Sequence, residues 1–187
     1  MTLEQAQQHA KQTLSDKRYR HTQGVVAQAK ALAQRWGADA EKAQLAAWLH
    51  DIAKERSRAE LLQLVEQGGI MSGSLQARPL PVWHGPCGAE VARQLGVQDE
   101  EVLSAIACHT TGKAGMSRLD KVVLLADAIS EDRCWPGVEA LRRLAYEDLD
   151  EAVVLALEST LQNLQKQGET PDGETQKALR DLRRNTQ

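Results

Sequence analysis

Apolar residues in this chain return at the helical period of about 3.6 residues, and strand-type alternation is not evident anywhere along it. From Arg18 to Trp36 the stripe is Val25, Val26, Ala29, Leu32, Ala33 and Trp36, and Gly37 stops it. Asp39 is placed to cap a second stripe, Ala43, Ala46, Leu49 and Ile52. Ser57 to Val65 reads as a helix ended by Gly68-Gly69, and residues 70–83, with Gly73, Pro79 and Pro81, as the longest irregular stretch. Pro86 marks a helix start that Gly96 ends, and Asp99 to Cys108 forms the next helix. Ser117, with Asp120 three residues on, caps an apolar helix from Leu119 to Ile129. Val138 to Ala145 is short, and Asp148 caps a long helix through Leu164. Residues 2–14 form a leading helix, and the polar residues 169–187 a frayed one. The pattern predicts an all-α bundle.

Length and composition fit one domain over residues 1–187, with a polar tail from 166 to 187. Phe is absent and aromatics are 3% of the chain, so Leu, Ala and Val must fill the core that a 42% hydrophobic content supplies. A net charge of -3 predicts no broad surface for a nucleic-acid polymer, while leaving room for a local cationic pocket that takes phosphates. Cys87, Cys108 and Cys134 are odd in number and widely spaced, which suits a reducing cytoplasm and neither a disulfide framework nor a thiolate zinc site. Met1 to Ala10 is polar, and no apolar run approaches the roughly 20 residues of a membrane span.

Polar residues interrupt the apolar stripes at specific places. His21 points with Val25 and Ala29, His109 follows Val102 and Ile106 on one face, and Asp127 ends the run Val122-Val123-Leu124-Leu125-Ala126. His50-Asp51 closes the second helix, and His84 stands at a helix entrance. Each alone has an ordinary reading: a satisfied core histidine at His21 or His109, a histidine offsetting the helix dipole at His50, a cap at His84, a buried salt bridge to an arginine at Asp127. Together, four imidazoles and two carboxylates directed at a core are most economically a metal centre, because unpaired buried carboxylates are costly. Six N/O donors without a thiolate suit iron, manganese, zinc or cobalt, and exceed what one tetrahedral zinc with an open position needs. Adjacent helical residues diverge by about 100°, so His50 and Asp51 reach one ion together only near a helix end. His9 lies in a polar segment and reads as surface.

The order His21, His50-Asp51, His84, His109, Asp127 resembles the HD superfamily of metal-dependent phosphohydrolases, with His84 and His109 matching the subgroup that holds a second metal. Arg18-Tyr19-Arg20-His21-Thr22, His50-Asp51-Ile52-Ala53-Lys54, His84-Gly85-Pro86, His109-Thr110-Thr111-Gly112 and Leu125-Ala126-Asp127 look like the YqeK-type symmetrical diadenosine tetraphosphate hydrolases of bacteria. So do Gly115-Met116-Ser117, Arg133 and Pro136-Gly137-Val138-Glu139, and the likeness runs over about residues 15–165. Lys113-Ala114 stands where that family commonly has Arg-Pro, and Ser130-Glu131 where it has Glu-Pro; these changes spare every expected ligand.

The resemblance implies a single HD-type helical bundle that cleaves a dinucleoside tetraphosphate into two nucleoside diphosphates, by in-line attack of a hydroxide shared between two metal ions. His21, His50, Asp51 and Asp127 are expected on one ion, with Asp51 bridging to a second completed by His84 and His109. Iron is the first expectation for the resident metal. Lys54, Arg133, Arg18 and Lys113 are candidate phosphate cations, and Thr110, Thr111 and Gly112 candidate hydroxyl and N–H donors. For Arg18 and Lys113 a solvated surface charge is an equal reading, and for Trp83 and Trp135 packing competes with stacking on adenine. Two other functions remain open: an HD phosphohydrolase for a guanosine polyphosphate or deoxynucleotide, and a non-catalytic helical interaction module that keeps a metal for stability. A homodimer is compatible with the sequence, and a nucleotide panel with product analysis separates the functions.

Overall fold

The computed structural model of the protein describes residues 1–68 and 75–185. The expected stop at Gly69 and the irregular residues 70–74 lie outside the described residues. Among the described residues there are ten α-helices, one 3-10 turn and no strand.

The helices begin where polar caps allow. α1 (Leu3–Thr13) opens on a reciprocal Thr2–Gln5 capping box and α2 (Asp16–Trp36) on Ser15. Gly37, at φ +65°, ends α2 in the left-handed conformation that a glycine adopts without penalty. Asp39 accepts from the backbone N–H groups of Glu41 and Lys42 to start α3 (Ala40–Leu49). α4 (Arg58–Gln67) opens on a Ser57–Glu60 capping box and stops at Gly68. The 3-10 turn Leu80–Val82 leads into α5 (His84–Gln94), followed by α6 (Glu100–Cys108), capped by Asp99, and α7 (Arg118–Ala128), with the expected Ser117–Asp120 box. α8 (Val138–Glu147) and α9 (Leu149–Gln167) follow, then α10 (Gly173–Asn185).

α3 is central: it packs on α2, α5, α6 and α7, while α2 also packs on α7, and α5 on α6. Leu32, Leu49, Ile52, Ile106, Leu125 and Leu157 are among the largest fully buried side chains of the resulting core. Among the described residues no helix is long and apolar enough to cross a membrane.

Three segments differ from the sequence expectation. α3 ends at Leu49 rather than near Ile52, because His50 caps it and the chain turns, with Lys54 N–H donating to Asp51 O at 2.8 Å. α5 starts at His84, two residues before Pro86; proline is tolerated in a first turn because its missing N–H would have no intrahelical partner there. The C-terminal segment is a packed helix rather than a frayed tail: Thr175, Ala178, Leu179 and Leu182 form a buried stripe in an otherwise polar run.

Candidate metal centre

The four histidines come from four different helix ends or faces. His21 is on the second turn of α2, His50 caps α3, His84 opens α5 and His109 caps α6. All four are at most 5% exposed. Each spends Nδ1 on an acceptor behind it: His50 on Ala47 O at 2.7 Å, His84 on Pro81 O at 2.7 Å, His109 on Ile106 O at 2.7 Å, and His21 on the Asp132 carboxylate at 3.0 Å. An Nδ1–H donor leaves the Nε2 lone pair free, and every Nε2 faces the same place.

Asp51 occupies the centre and is 3% exposed. Its Oδ2 lies 4.0 Å from His21 Nε2 and 3.5 Å from His50 Nε2, while its Oδ1 lies 3.3 Å from His84 Nε2 and 3.7 Å from His109 Nε2. One carboxylate thus presents a separate oxygen to each pair of imidazoles. This works because the helix stops at His50: two consecutive residues at a turn converge where two in a continuous helix would diverge. Asp127, on the last turn of α7, sets Oδ1 3.1 Å from His21 Nε2. Donor atoms of His21, His50 and Asp127, and of His50, Asp51 and His109, each lie close enough together to hold one ion. Among the described residues, His21 Nε2 and His50 Nε2 are buried side-chain atoms without a hydrogen-bond partner, a costly state that a coordinated cation relieves.

The electrostatics fit the same use. Burial, His109 and Lys54 push the His84 imidazole down to about 3, so its ring is neutral at physiological pH. Burial acts to raise the Asp51 carboxyl, but His50 and His109 beside it hold it well below the usual carboxylate range. Burial likewise acts against Asp127, and His21 and Arg133 outweigh it, keeping the group ionised. His50 shows the reverse balance: burial pulls it down, yet Asp51 and Asp127 raise it overall, so the site draws a proton where a cation would sit. The buried Cys87 thiol is pushed up to about 11 and that of Cys108 higher still, so neither offers a thiolate.

The other expected residues divide. Arg18 Nη1 donates to Asp51 Oδ2 at 2.9 Å, and Arg133 donates to the carboxylate and backbone oxygen of Asp127, so both cations sit at the centre; the arginine bridge considered for Asp127 is present as well. Lys54 Nζ is 3.3 Å from His84 Nε2, and burial lowers its ammonium below the usual lysine range. Thr110 Oγ1 lies 3.1 Å from His84 Nε2 and 3.0 Å from His109 Nε2. Thr111 and Gly112 face away: Thr111 Oγ1 bonds Gly112 O and accepts from Arg78, while Gly112, at φ +63°, lies under Ala178 and Met116. Lys113 bonds to Ser104 and pairs with Asp120 while its side chain stays partly exposed. Trp83 is buried and donates to Arg78 O, whereas Trp135 is half-buried and lines a cavity. His9, expected on the surface, is half-buried.

That cavity, of about 500 Å³, opens from the centre at Lys54, His109, Thr110, Asp127 and Arg133, and runs between Trp135-Pro136 and the α9 residues Ser159, Asn163 and Lys166. Sequence reasoning missed Asp132, Ser130 and this wall of α9. Asp132 carried a signal in its place between an expected ligand and Arg133; the α9 residues carried none, being ordinary polar positions on a surface helix.

The HD domain profile matches residues 18–132, from Arg18 at the centre to Asp132 behind His21. The chain belongs to the HD domain family. It is 42% identical over 170 residues, 90% of this chain and 91% of its relative, to a symmetrical bis(5'-nucleosyl)-tetraphosphatase of Bacillus subtilis. A protein of the same name from Halalkalibacterium halodurans is 40% identical and covers 90% of each chain. In structure it matches an HD superfamily hydrolase of Clostridium acetobutylicum, described as involved in NAD metabolism, with a TM-score of 0.94 and 32% identity over 99% of this chain and 98% of the other.

Proposed function

We propose that this HD protein is a metal-dependent hydrolase that cleaves diadenosine tetraphosphate symmetrically into two ADP. The observation that carries the reading is the division of Asp51: one oxygen faces His21 and His50, the other His84 and His109, beside a cationic cavity of nucleotide size. Names of relatives that act on bis(5'-nucleosyl)-tetraphosphates support the substrate class.

The imidazole nitrogens and ionised carboxylates fit two divalent cations, and iron, manganese, cobalt and zinc all accept such donors. His21, His50, Asp51 and Asp127 would hold one ion, and Asp51, His84 and His109 the other. Such cations, when bound, would lower the pKa of a coordinated water and offset charge on phosphate oxygens.

The chain's own groups do the rest. Lys54 and Arg133 face the cavity and would bind the polyphosphate beside the centre. Arg18 holds Asp51 Oδ2 in place, and Thr110 offers its hydroxyl next to His84 and His109. Trp135 would give an adenine a face to stack on, and α9 forms one wall of the cavity. The departing ADP is a stable anion, so cleavage of the anhydride needs no proton donor on the leaving oxygen. The free thiols of Cys87, Cys108 and Cys134 agree with a cytoplasmic enzyme built as a single HD-type domain.

The test is a nucleotide panel on metal-stripped and manganese-restored protein. ADP as sole product from diadenosine tetraphosphate, only after metal is restored, supports the reading; ATP plus AMP, or a strong preference for a guanosine polyphosphate or deoxynucleotide, contradicts it.

A further inference from the structure

Arg142, on α8, lies outside the centre and touches none of its six donors, yet it holds together the loop on which two of them depend. Its Nε donates to Ile129 O at 3.1 Å, and its Nη2 approaches Ser130 O at 2.8 Å, Arg133 O at 2.9 Å and Glu131 O at 3.4 Å. Carbonyl oxygens converging from one short loop repel one another, and the end of α7 adds the negative pole of its dipole. A planar guanidinium is the side chain suited to neutralising such a cluster, because its donors lie in a fixed fork.

The loop so gathered supplies the groups that hold His21 and Asp127 from behind. Asp132 orients His21 through Nδ1, Ser130 Oγ fixes Asp132 Oδ1 at 2.7 Å, and Arg133 grips Asp127. His84 and His109 have backbone carbonyls behind them on Pro81 and Ile106, remote from this loop in sequence. The two halves of the centre are therefore supported by different means. Docking of α8 has its own anchors: Leu141 and Ala145 are fully buried, and Trp36 Nε1 donates to Ala145 O at 2.9 Å.

We infer that Arg142 is a positioning residue for one half of the centre, holding the 129–133 loop so that His21 and Asp127 are aligned for their cation, while the half built on His84 and His109 is independent of it. This rests on the two-cation reading given above.

The experiment titrates metal-stripped full-length protein with Mn2+, following binding by calorimetry and ion coupling by electron paramagnetic resonance. Wild type is expected to bind two ions with a coupled signal. In Arg142→Lys, whose single ammonium cannot serve the same set of carbonyls, one ion should weaken about 10- to 100-fold, the range found when an outer partner of a ligand is lost. The other ion should hold within about 3-fold, and the signal should match that of His21→Ala. Glu139→Gln, which removes only the carboxylate partner of Arg142 at the rim, should bind both ions as wild type does. Equal weakening of both ions, weakening of neither, or loss of fold in both Arg142→Lys and Arg142→Ala would overturn the inference. A wild-type protein that binds no ion would instead bring down the two-cation reading beneath it.

Discussion

Nε2 of His84 and Nε2 of His109 face each other at 3.1 Å, although each ring has already committed its Nδ1 proton to a backbone carbonyl. Two lone pairs at that distance repel; the single proton of the Thr110 hydroxyl can satisfy only one of them, and Lys54 Nζ, 3.3 Å from His84 Nε2, can donate to that of His84. Holding the pair together takes a rigid frame and, in use, a positive charge between the rings.

The frame is the close approach of α5 to α6 at Gly85. A Cβ there would lie 2.6 Å from Ala107 O, a backbone atom that cannot turn aside. Gly85→Ala gains about 1 kcal/mol of helix propensity, but forcing the helices apart costs about 1–3 kcal/mol, so the net effect is destabilising. Chemical denaturation should show it, together with weaker binding of the ion held by His84 and His109.

Asp132 is the partner that fixes the tautomer of His21. Asp132→Ala should lower cation affinity about 10- to 100-fold, and Asp132→Asn, which keeps an acceptor, should lower it less. Calorimetric titration with Mn2+ checks this. Equal affinities for wild type and Asp132→Ala would mean that the ring needs no orienting partner.

How much of this was legible in the sequence follows from range. The caps at Asp39, Ser117 and Asp148 act on N–H groups within three residues, so local sequence shows them, whereas sequence reasoning missed the Ser15 cap, which starts α2 at Asp16 rather than at Arg18. The six donors stood out because each broke an apolar stripe or lay at its end. Thr111 and Gly112 could not be told from Thr110, since which way each residue of a turn faces depends on α10, whose stripe at Ala178, Leu179 and Leu182 is too narrow to read in a polar segment. Arg142 and the α9 wall act across the fold and leave no local pattern at all.

Lys54 is predicted to serve substrate rather than cations. Lys54→Met removes an ammonium whose burial already disfavours its charge, so stability should be unchanged or higher. Both ions should still bind, while kcat/KM falls about 10- to 100-fold, the equivalent of one charge-assisted hydrogen bond of about 1.5–3 kcal/mol. Steady-state kinetics on diadenosine tetraphosphate at saturating Mn2+ reads this directly.

Asp172 ties the C-terminal helix to the middle of the chain. It takes Arg78 Nε at 2.7 Å and Nη2 at 3.2 Å, caps α10 through Glu174 N–H at 2.8 Å, and is 3% exposed; Arg78 also reaches Thr111. Asp172→Ala strands a half-buried guanidinium and should cost about 3 kcal/mol. A variant as stable as wild type in urea would show that α10 docks without this pair.

The most direct measurement compares Asp51→Ala with wild type for bound metal and for hydrolysis of diadenosine tetraphosphate, after both proteins are stripped and titrated with Mn2+. The account predicts close to two ions per wild-type chain, activity that appears as they bind, and loss of both ion pairing and hydrolysis in the variant. An Asp51→Ala protein that pairs two ions and turns over substrate at the wild-type rate, or a wild-type protein fully active with no metal bound, would contradict it.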